Sequence, residues 1–131
     1  LRFTSRIISL RDVPKGNPVG YGHRWVAHRP SKVAVIPVGY DDGYMRSLSG
    51  RAYALVRGKK VPVAGNICMR NTMLDVTEVP ECTLGDEVVL IGRQGRYEIT
   101  SMELSRLAGT ISYELLCLVG TRNRRVFLCS E

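Results

Sequence analysis

The stretch "SKVAVIPVGY", residues 31–40, is apolar at nearly every position and decides the class of fold. A continuous apolar run of this length, rich in valine, is typical of a β-strand that is buried on both faces. Gly39 precedes the terminal Tyr40, and two aspartates and another glycine follow it, which indicates a turn. The sequence therefore predicts a buried strand that ends at Tyr40.

Short segments of β character lie on both sides of this strand, separated by glycine or proline. The segment "YALVRGKKVPVAG", residues 53–65, contains two strand-like runs joined around Gly58, which indicates a hairpin. Further single strands are predicted in residues 2–10, 19–28, 71–77, 86–92, 96–99 and 124–130.

The hydrophobic period becomes helical between the last two of these strands. Thr100 and Glu103 have the spacing of a capping box and Gly109 supplies a stop, which predicts a helix between them. A second short helix is predicted in residues 110–120, with Thr110 as its N-cap. Six or more strands with two short helices near the end predict a mainly β fold, namely a closed or nearly closed six-stranded β-barrel of Greek-key type. Closure of this kind removes exposed strand edges.

Length and composition predict one globular domain that spans residues 1–131. The chain can bury a single core, and its contents of 44% hydrophobic and 24% charged residues are ordinary for a soluble protein. Its longest apolar runs are far too short to span a bilayer, and no signal-peptide pattern is present. We therefore expect a cytoplasmic protein without a membrane partner. The first residue, Leu1, is not methionine, which suggests a piece of a longer protein.

The cysteines and histidines predict no metal site. Only His23 and His28 accompany four cysteines that lack C-x-x-C spacing. The cysteines are Cys68, Cys82, Cys117 and Cys129. We expect reduced and mostly buried thiols, as is usual in the cytosol.

The net charge of +7 leaves a nucleic-acid partner open as an interpretation. Basic residues are scattered, however, except in "GTRNRRVF", residues 120–127. A solvated basic surface is the simpler explanation of this pattern.

Three tyrosines stand in distinctive settings. Tyr21 lies between two glycines in "NPVGYGHRW", residues 17–25, and glycines without side chains let other groups approach closely. Tyr40 follows the buried strand. Tyr113 falls in the first turn of the predicted second helix, where free N–H groups suit an anion such as phosphate. Each of them taken alone is more often a core or rim residue.

Seven segments taken together are similar, in order and spacing, to the C-terminal domain of alanine racemases. They are "SRIISL", "VGYG", "IPVGYDDGYMR", "VPVAGNICM", "TMLDVT", "GDEVVLIG" and "GTISYELLC". The resemblance implies a β-domain that follows an eight-stranded β/α barrel, which is absent from this chain. It implies pyridoxal phosphate as cofactor, bound covalently by a lysine of that barrel. It also implies a head-to-tail homodimer whose active sites each combine one subunit's barrel with the other's β-domain.

The same resemblance assigns roles to four residues of this sequence. Tyr21 corresponds to a catalytic base offered to the partner subunit's barrel, and Tyr113 to a contact of the cofactor phosphate. Tyr40 corresponds to a residue that lines the substrate entryway. The backbone N–H of Met69 corresponds to the group that receives the substrate carboxylate.

Racemisation of alanine between its L and D forms is well served by one base on each face of the substrate. Tyr21 would serve one face and the cofactor lysine the other. A phenol with an ordinary pKa of about 10 must have that pKa lowered by cationic neighbours or a hydrogen-bonded relay to act near neutral pH. We expect His23, nearby in sequence, to be a surface residue.

Two departures from the family pattern stand out. Arg70 occupies the position directly after Met69, where the family commonly has aspartate, and this keeps open a racemase for serine or another small amino acid. The ending "RNRRVF" lacks the usual valine and proline. Arg122 and Arg125, within this ending, are expected to serve structure or the subunit interface.

No lysine of the chain has the context of a buried cofactor lysine. All four, Lys15, Lys32, Lys59 and Lys60, fall in predicted turns or surface segments. We therefore expect the chain alone neither to hold pyridoxal phosphate tightly nor to racemise alanine. A barrel that binds single-stranded nucleic acid remains the alternative from another class. Against it, the three distinctive tyrosines do not alternate along adjacent strands as a stacking platform would require.

Overall fold

The computed structural model describes residues 1–19 and 25–128. Ten strands, two α-helices and two short 3-10 helices are found in that part of the chain. The strands are β1 (Phe3–Arg6), β2 (Ser9–Val13), β3 (Pro18–Val19), β4 (Trp25–Val26), β5 (Ser31–Ile36), β6 (Tyr53–Val56), β7 (Lys59–Pro62), β8 (Thr72–Asp75), β9 (Glu87–Gln94) and β10 (Tyr97–Ile99). The helices are α1 (Ser101–Ala108) and α2 (Ser112–Arg122), with 3-10 turns at Tyr40–Asp42 and Arg46–Leu48.

The strands pair into three antiparallel groups. One sheet has the order β1-β9-β6-β7 with β10 also paired to β9, a second has the order β2-β5-β8, and β3 pairs with β4. A single bridge, Val63 to Leu74, joins the end of β7 to β8. The mainly β fold with two helices near the C-terminus is confirmed. The closed six-stranded barrel is not, because the ladders between described strands do not form a ring.

The central strand β5 is buried as its sequence predicts, but it ends at Ile36, before the predicted end at Tyr40. Val33, Ala34 and Ile36 are fully buried, and β5 pairs with β2 on one side and β8 on the other. The hairpin of β6 and β7 is also confirmed, with left-handed backbone at Arg57 (φ 51°) and Gly58 (φ 74°) in its turn.

Two segments predicted as single strands are each two strands. Residues 2–10 divide because the N–H of Ile7 donates to Asp86 O at 3.0 Å, whereas that of Ile8 donates to Val35 O at 2.9 Å. Adjacent residues thus bond to different sheets, and the chain passes from β1 to β2. Within residues 19–28, β3 and β4 pair with each other, so they are not one continuous strand.

The strand predicted in residues 124–130 is wrong for the part that the structure describes. Residues 124–128 form no regular element, and Val126, Phe127 and Leu128 are 70%, 84% and 88% exposed. These three consecutive apolar residues suit a strand, but the described residues of this chain supply no strand that pairs with them.

Helix α1 begins and ends as predicted. Thr100 Oγ1 accepts a hydrogen bond from the N–H of Glu103 at 3.1 Å, and Gly109 ends the helix in the left-handed conformation. Glu103 does not complete the capping box, since its carboxylate accepts a hydrogen bond from the Tyr53 hydroxyl. The N-cap predicted for α2 is wrong: Ile111 occupies that position, and the Thr110 hydroxyl donates to Glu114 Oε2 at 2.7 Å.

The cysteines differ in exposure more than expected. Cys82 is buried, Cys68 is half-buried and Cys117 is exposed, and all three are free thiols. Cys129 lies outside the described residues. Among residues 1–19 and 25–128, neither α-helix has the length and apolar character that a membrane span requires.

Asp86 organises the tight turn before β9. Its carboxylate accepts hydrogen bonds from Arg57 Nε at 2.7 Å and Arg57 Nη2 at 3.0 Å, and from the N–H of Thr83 at 2.9 Å. These donors, Arg57 first, lower the pKa of Asp86 to about 2.

Asp86→Asn is expected to destabilise the chain near neutral pH and to have a smaller effect in acid. A carboxylate with a depressed pKa stabilises the folded state above its ordinary pKa of about 4, and loses that contribution as the pH falls towards its folded pKa. Urea unfolding at several pH values between 6 and about 2.5 measures the difference between the two proteins. A difference that does not shrink over this range would contradict the assignment.

Candidate functional site

The turn at Tyr40 is bonded directly to the segment that carries Met69. The N–H of Tyr40 donates to Cys68 O at 3.0 Å, and the N–H of Asp41 donates to Met69 O at 2.9 Å. Two residues assigned to the site by resemblance are therefore brought together by consecutive backbone hydrogen bonds. Their side chains are accessible, with Tyr40 42% and Met69 52% exposed.

This close approach depends on Gly39, the residue before the turn. A Cβ atom at this position would lie 2.1 Å from Cys68 O and 2.5 Å from the carbonyl carbon of Met69. The N–H of Gly39 donates to Asp42 Oδ2 at 3.0 Å, which closes the turn on itself. The glycine is thus required for space, since its own backbone is extended.

The hydrogen bonds also orient the backbone N–H of Met69. Because the peptide bond is trans, that N–H points opposite to the Cys68 carbonyl, which faces Tyr40. It therefore points away from the Tyr40 turn. No residue in the described part of the chain accepts a hydrogen bond from it. A donor that is oriented and that no described residue uses can serve a ligand.

A shallow depression of about 160 Å³ lies beside Met69. It is lined by Tyr40, Arg46, Asn66, Ile67, Cys68 and Met69. A larger depression of about 430 Å³ lies at the tips of the β6–β7 and β9–β10 hairpins, beside the paired Arg57 and Asp86. It contains none of the residues assigned to the site.

Three charged side chains surround the Tyr40 turn. Asp41 lies between two arginines, with Oδ2 3.9 Å from Arg70 Nε and Oδ1 3.5 Å from Arg122 Nη1. Arg122 thus contacts the turn from the end of α2, which agrees with a structural role. The guanidinium of Arg125 lies 5.9 Å from the ring centre of Phe127, in the exposed segment after α2.

The C-terminal half of α2 supports the Tyr40 turn. A Cβ atom on Gly43 would lie 2.8 Å from the backbone of Leu118 and Val119, and Asn123 Nδ2 donates to Asp42 O at 2.7 Å. Tyr113 lies at the other end of the helix and is 81% exposed.

The segment that carries Tyr21 lies outside the described residues, as does His23. The strands on either side of it are described, and both contact Gly65. A Cβ atom on Gly65 would lie 3.1 Å from Val19 O and 3.7 Å from the Cβ of Trp25. Gly65 precedes Met69 by four residues, so β3 and β4 pack at the start of the loop that leads to Met69.

With this geometry established, comparison with known proteins decides the family. A family model described as "Alanine racemase, C-terminal domain" matches residues 1–127. The chain belongs to this family. It is 46% identical over 127 residues to an alanine racemase of Thermodesulfovibrio yellowstonii, covering 97% of this chain and 35% of that protein.

Solved structures of alanine racemases have the same fold. The protein from a D-cycloserine-producing Streptomyces lavendulae is 35% identical with a TM-score of 0.91, over 99% of this chain and 34% of that one. The protein from Bartonella henselae, solved with covalently bound pyridoxal phosphate, is 31% identical with a TM-score of 0.89, over 97% of this chain and 34% of that one. The chain therefore spans about a third of the length of these racemases.

Several residues of this alanine racemase C-terminal domain position the site without having been singled out in the sequence. Gly43 and Gly65 allow close backbone contacts, and Asp41 connects two arginines. Tyr44 is completely buried, and no described residue bonds its hydroxyl, so burial raises its pKa. The sequence feature that could have identified this region is the pair of glycines in "VGYDDGY", because each glycine directly precedes a tyrosine in a turn.

Potential metal and cofactor ligands are few in the described part of this racemase domain. No group of three or more histidine, cysteine, aspartate or glutamate side chains there is arranged to hold a metal ion. All four lysines are described, and none is buried: Lys32 is half-buried and the other three are exposed.

Proposed function

We propose that this chain is the C-terminal domain of an alanine racemase that interconverts L- and D-alanine with pyridoxal phosphate. The observation that carries the proposal is the N–H of Met69, which the Tyr40 turn orients and which no described residue uses. It lies on the loop whose start packs against β3 and β4. In this arrangement Met69 binds the substrate carboxylate through its backbone, and Tyr40 lines the way in. Tyr21, between β3 and β4 in sequence, supplies the proton-transfer group.

The start of α2 is suited to the phosphate of the cofactor. Its N-cap, Ile111, provides no side-chain hydrogen bond, so the N–H groups of the first turn remain open to an anion. Tyr113 lies in this turn with its hydroxyl accessible. When bound, pyridoxal phosphate supplies the electron withdrawal that lets the α-proton of the amino acid leave.

The reaction requires a second protein surface. The cofactor lysine comes from a barrel domain, as the resemblance implies, and the four lysines of this chain are exposed or half-buried. The Bartonella henselae relative, solved with covalently bound cofactor, supports this dependence on pyridoxal phosphate. In a head-to-tail homodimer, Tyr21 of one subunit faces the barrel of the other.

The exposed apolar side chains support such a docking. Ile111 and Tyr113, at the start of α2, are 65% and 81% exposed, and Phe127, in the segment after the end of α2, is 84% exposed. Ile111 and Tyr113 are two residues apart, and neighbouring accessible apolar side chains of this kind suit contact with a partner. The barrel and the second subunit are the proposed partners.

Activity measurements test the proposal directly. The protein that joins this domain to its barrel is expected to convert L-alanine into D-alanine when supplied with pyridoxal phosphate, as followed by chiral chromatography. The isolated chain, as control, is expected to be inactive. Absence of conversion by the longer protein would contradict the proposed function.

A racemase for serine or another small amino acid is the second candidate. Arg70 motivates this candidate, because it directly follows Met69, where the family commonly has aspartate, and its Nε lies 3.9 Å from Asp41 Oδ2. A higher kcat/KM for serine than for alanine would favour this candidate.

Tyr113→Phe is expected to weaken cofactor retention. The hydroxyl is the only group that the substitution removes, and one hydrogen bond to a charged group contributes about 1.5–3 kcal/mol, or about ten- to a hundredfold in affinity. Cofactor absorbance during dialysis measures the loss, with Tyr97→Phe, far from α2 in sequence, as control. Equal retention in the two variants would rule out the phosphate contact.

A further inference from the structure

We propose that Asp41 is a positioning residue, whose carboxylate holds the Met69 N–H in place through Arg70 and Arg122. The inference deepens the proposed function and rests on it, because it concerns the donor that would receive the substrate carboxylate. It assigns a task to a residue that neither its motif nor the family resemblance singled out.

Asp41 joins three parts of the site. Its N–H donates to Met69 O at 2.9 Å, and its carboxylate reaches Arg70, the next residue of that loop, at 3.9 Å. The other carboxylate oxygen lies 3.5 Å from Arg122 at the end of α2. Asp41 therefore connects the Met69 loop and α2 through both its backbone and its side chain.

The loop on which the donor lies needs this support. Residues 68–71 form a turn that closes on itself, where the N–H of Cys68 donates to Asn71 O at 3.0 Å. Met69 and Arg70, at its tip, are both exposed, so packing does little to fix them. Their positions depend on the Tyr40 turn, and the Tyr40 turn is connected to α2 in part by Arg122.

The charges explain why arginine is compatible with position 70. The guanidinium groups of Arg70 and Arg122 share the one carboxylate of Asp41, so the cluster keeps a net positive charge. An aspartate at position 70 would instead repel Asp41, and the loop would lose one of its contacts to the turn. Arg70 and Asp41 thus form a matched pair.

Loss of the Asp41 ion pairs is expected to change the free energy of unfolding only slightly. Asp41 is 42% exposed on its side chain and Arg70 is 79% exposed, and such accessible ion pairs contribute little to the stability of a fold. Their contribution is to the position of a loop. Substrate affinity should therefore change much more than thermal stability, and this separates positioning from a general structural role.

The test uses Asp41→Asn in the protein that contains both domains. The KM for L-alanine is expected to rise about fivefold, with kcat changed less than about twofold and Tm nearly unchanged, because the lost interaction affects binding. Asp41→Glu should restore most of the affinity. Glu98→Gln is the matched control, since it removes another exposed pair, with Arg93 at 3.2 Å.

A second readout does not depend on activity. In protein labelled with ¹⁵N-methionine, the Met69 amide resonance, assigned from its loss in Met69→Leu, is expected to move in Asp41→Asn and not in Glu98→Gln. Arg122→Gln, which removes only one of the two cations and is not adjacent to Met69 in sequence, should move the resonance in the same way and provides the test if Asp41→Asn folds poorly.

The outcomes separate this inference from the proposed function. If the wild-type protein racemises alanine and Asp41→Asn leaves KM unchanged, the positioning role is overturned. If the wild-type protein shows no racemisation, the proposed function fails, and the amide resonance alone decides whether Asp41 positions Met69. An unmoved resonance in that case overturns the inference.

Discussion

Gly39→Ala is expected to separate the Tyr40 turn from the Met69 loop and to remove most racemase activity of the two-domain protein. The added Cβ would lie 2.1 Å from Cys68 O and 2.5 Å from the Met69 carbonyl, and these are backbone atoms that cannot rotate away. Either the two backbone hydrogen bonds break or the strand end moves. Overpacking of this kind, with two lost hydrogen bonds, costs about 3 kcal/mol or more.

The loss of activity should exceed what the loss of stability explains. A displacement of about 1 Å in a positioned group can lower the rate about a hundredfold. Urea unfolding and steady-state kinetics of the two-domain protein measure both effects.

Gly50→Ala provides the control for this substitution. Gly50 has φ 69° and no atom within 4 Å of an added Cβ, so alanine there causes backbone strain of about 1 kcal/mol without a clash. Gly39 has an extended backbone, so alanine there causes no backbone strain and is destabilising only through the clash. If Gly39→Ala lowers stability and activity no more than Gly50→Ala does, the close approach assigned to the Tyr40 turn and the Met69 loop is contradicted.

Tyr21→Phe is expected to lower racemisation about 10²- to 10⁴-fold, the usual contribution of a general acid or base. Cofactor binding should be nearly intact, because the substitution removes a hydroxyl that the proposal assigns to proton transfer alone. Exchange of the α-proton with solvent should be lost selectively for one enantiomer, which we expect to be L-alanine. Proton exchange followed by NMR for each enantiomer measures this selectivity.

Tyr97→Phe is the control for the catalytic substitution. Tyr97 is a partly exposed tyrosine on β10, where its ring lies 5.2 Å from Lys60 Nζ. It belongs to none of the elements that carry the site. An equal loss of exchange for both enantiomers in Tyr21→Phe, or activity like that of Tyr97→Phe, would contradict the assigned role.

Local interactions account for the elements that were predicted well. Helix α1 begins at a hydrogen bond between Thr100 and Glu103, three residues apart, and ends at a left-handed glycine. The β6–β7 hairpin turns at Arg57 and Gly58, whose conformations suit its strands. Such contacts lie within a few residues, so a local pattern is enough to detect them.

Interactions between distant residues account for the predictions that failed. The break between β1 and β2 arises because Ile7 and Ile8 bond to Asp86 and Val35, which lie far away in sequence. A strand was predicted in residues 124–130, which contain a short apolar run, but a strand also needs a partner. The barrel prediction, which the described strands do not confirm, assumed ladders that close a ring, and ladder partners cannot be read from hydrophobic periods.

The sequence by itself determined the family, the mainly β character, the two C-terminal helices and the residues that carry the proposed chemistry. Each of these depends on residue types and on their spacing along the chain. Only the tertiary structure decided that the Tyr40 turn lies against Met69 and that Asp41 connects Arg70 with Arg122. The physical reason is that these contacts join segments about 30 and 80 residues apart, where packing and backbone hydrogen bonds select the neighbours.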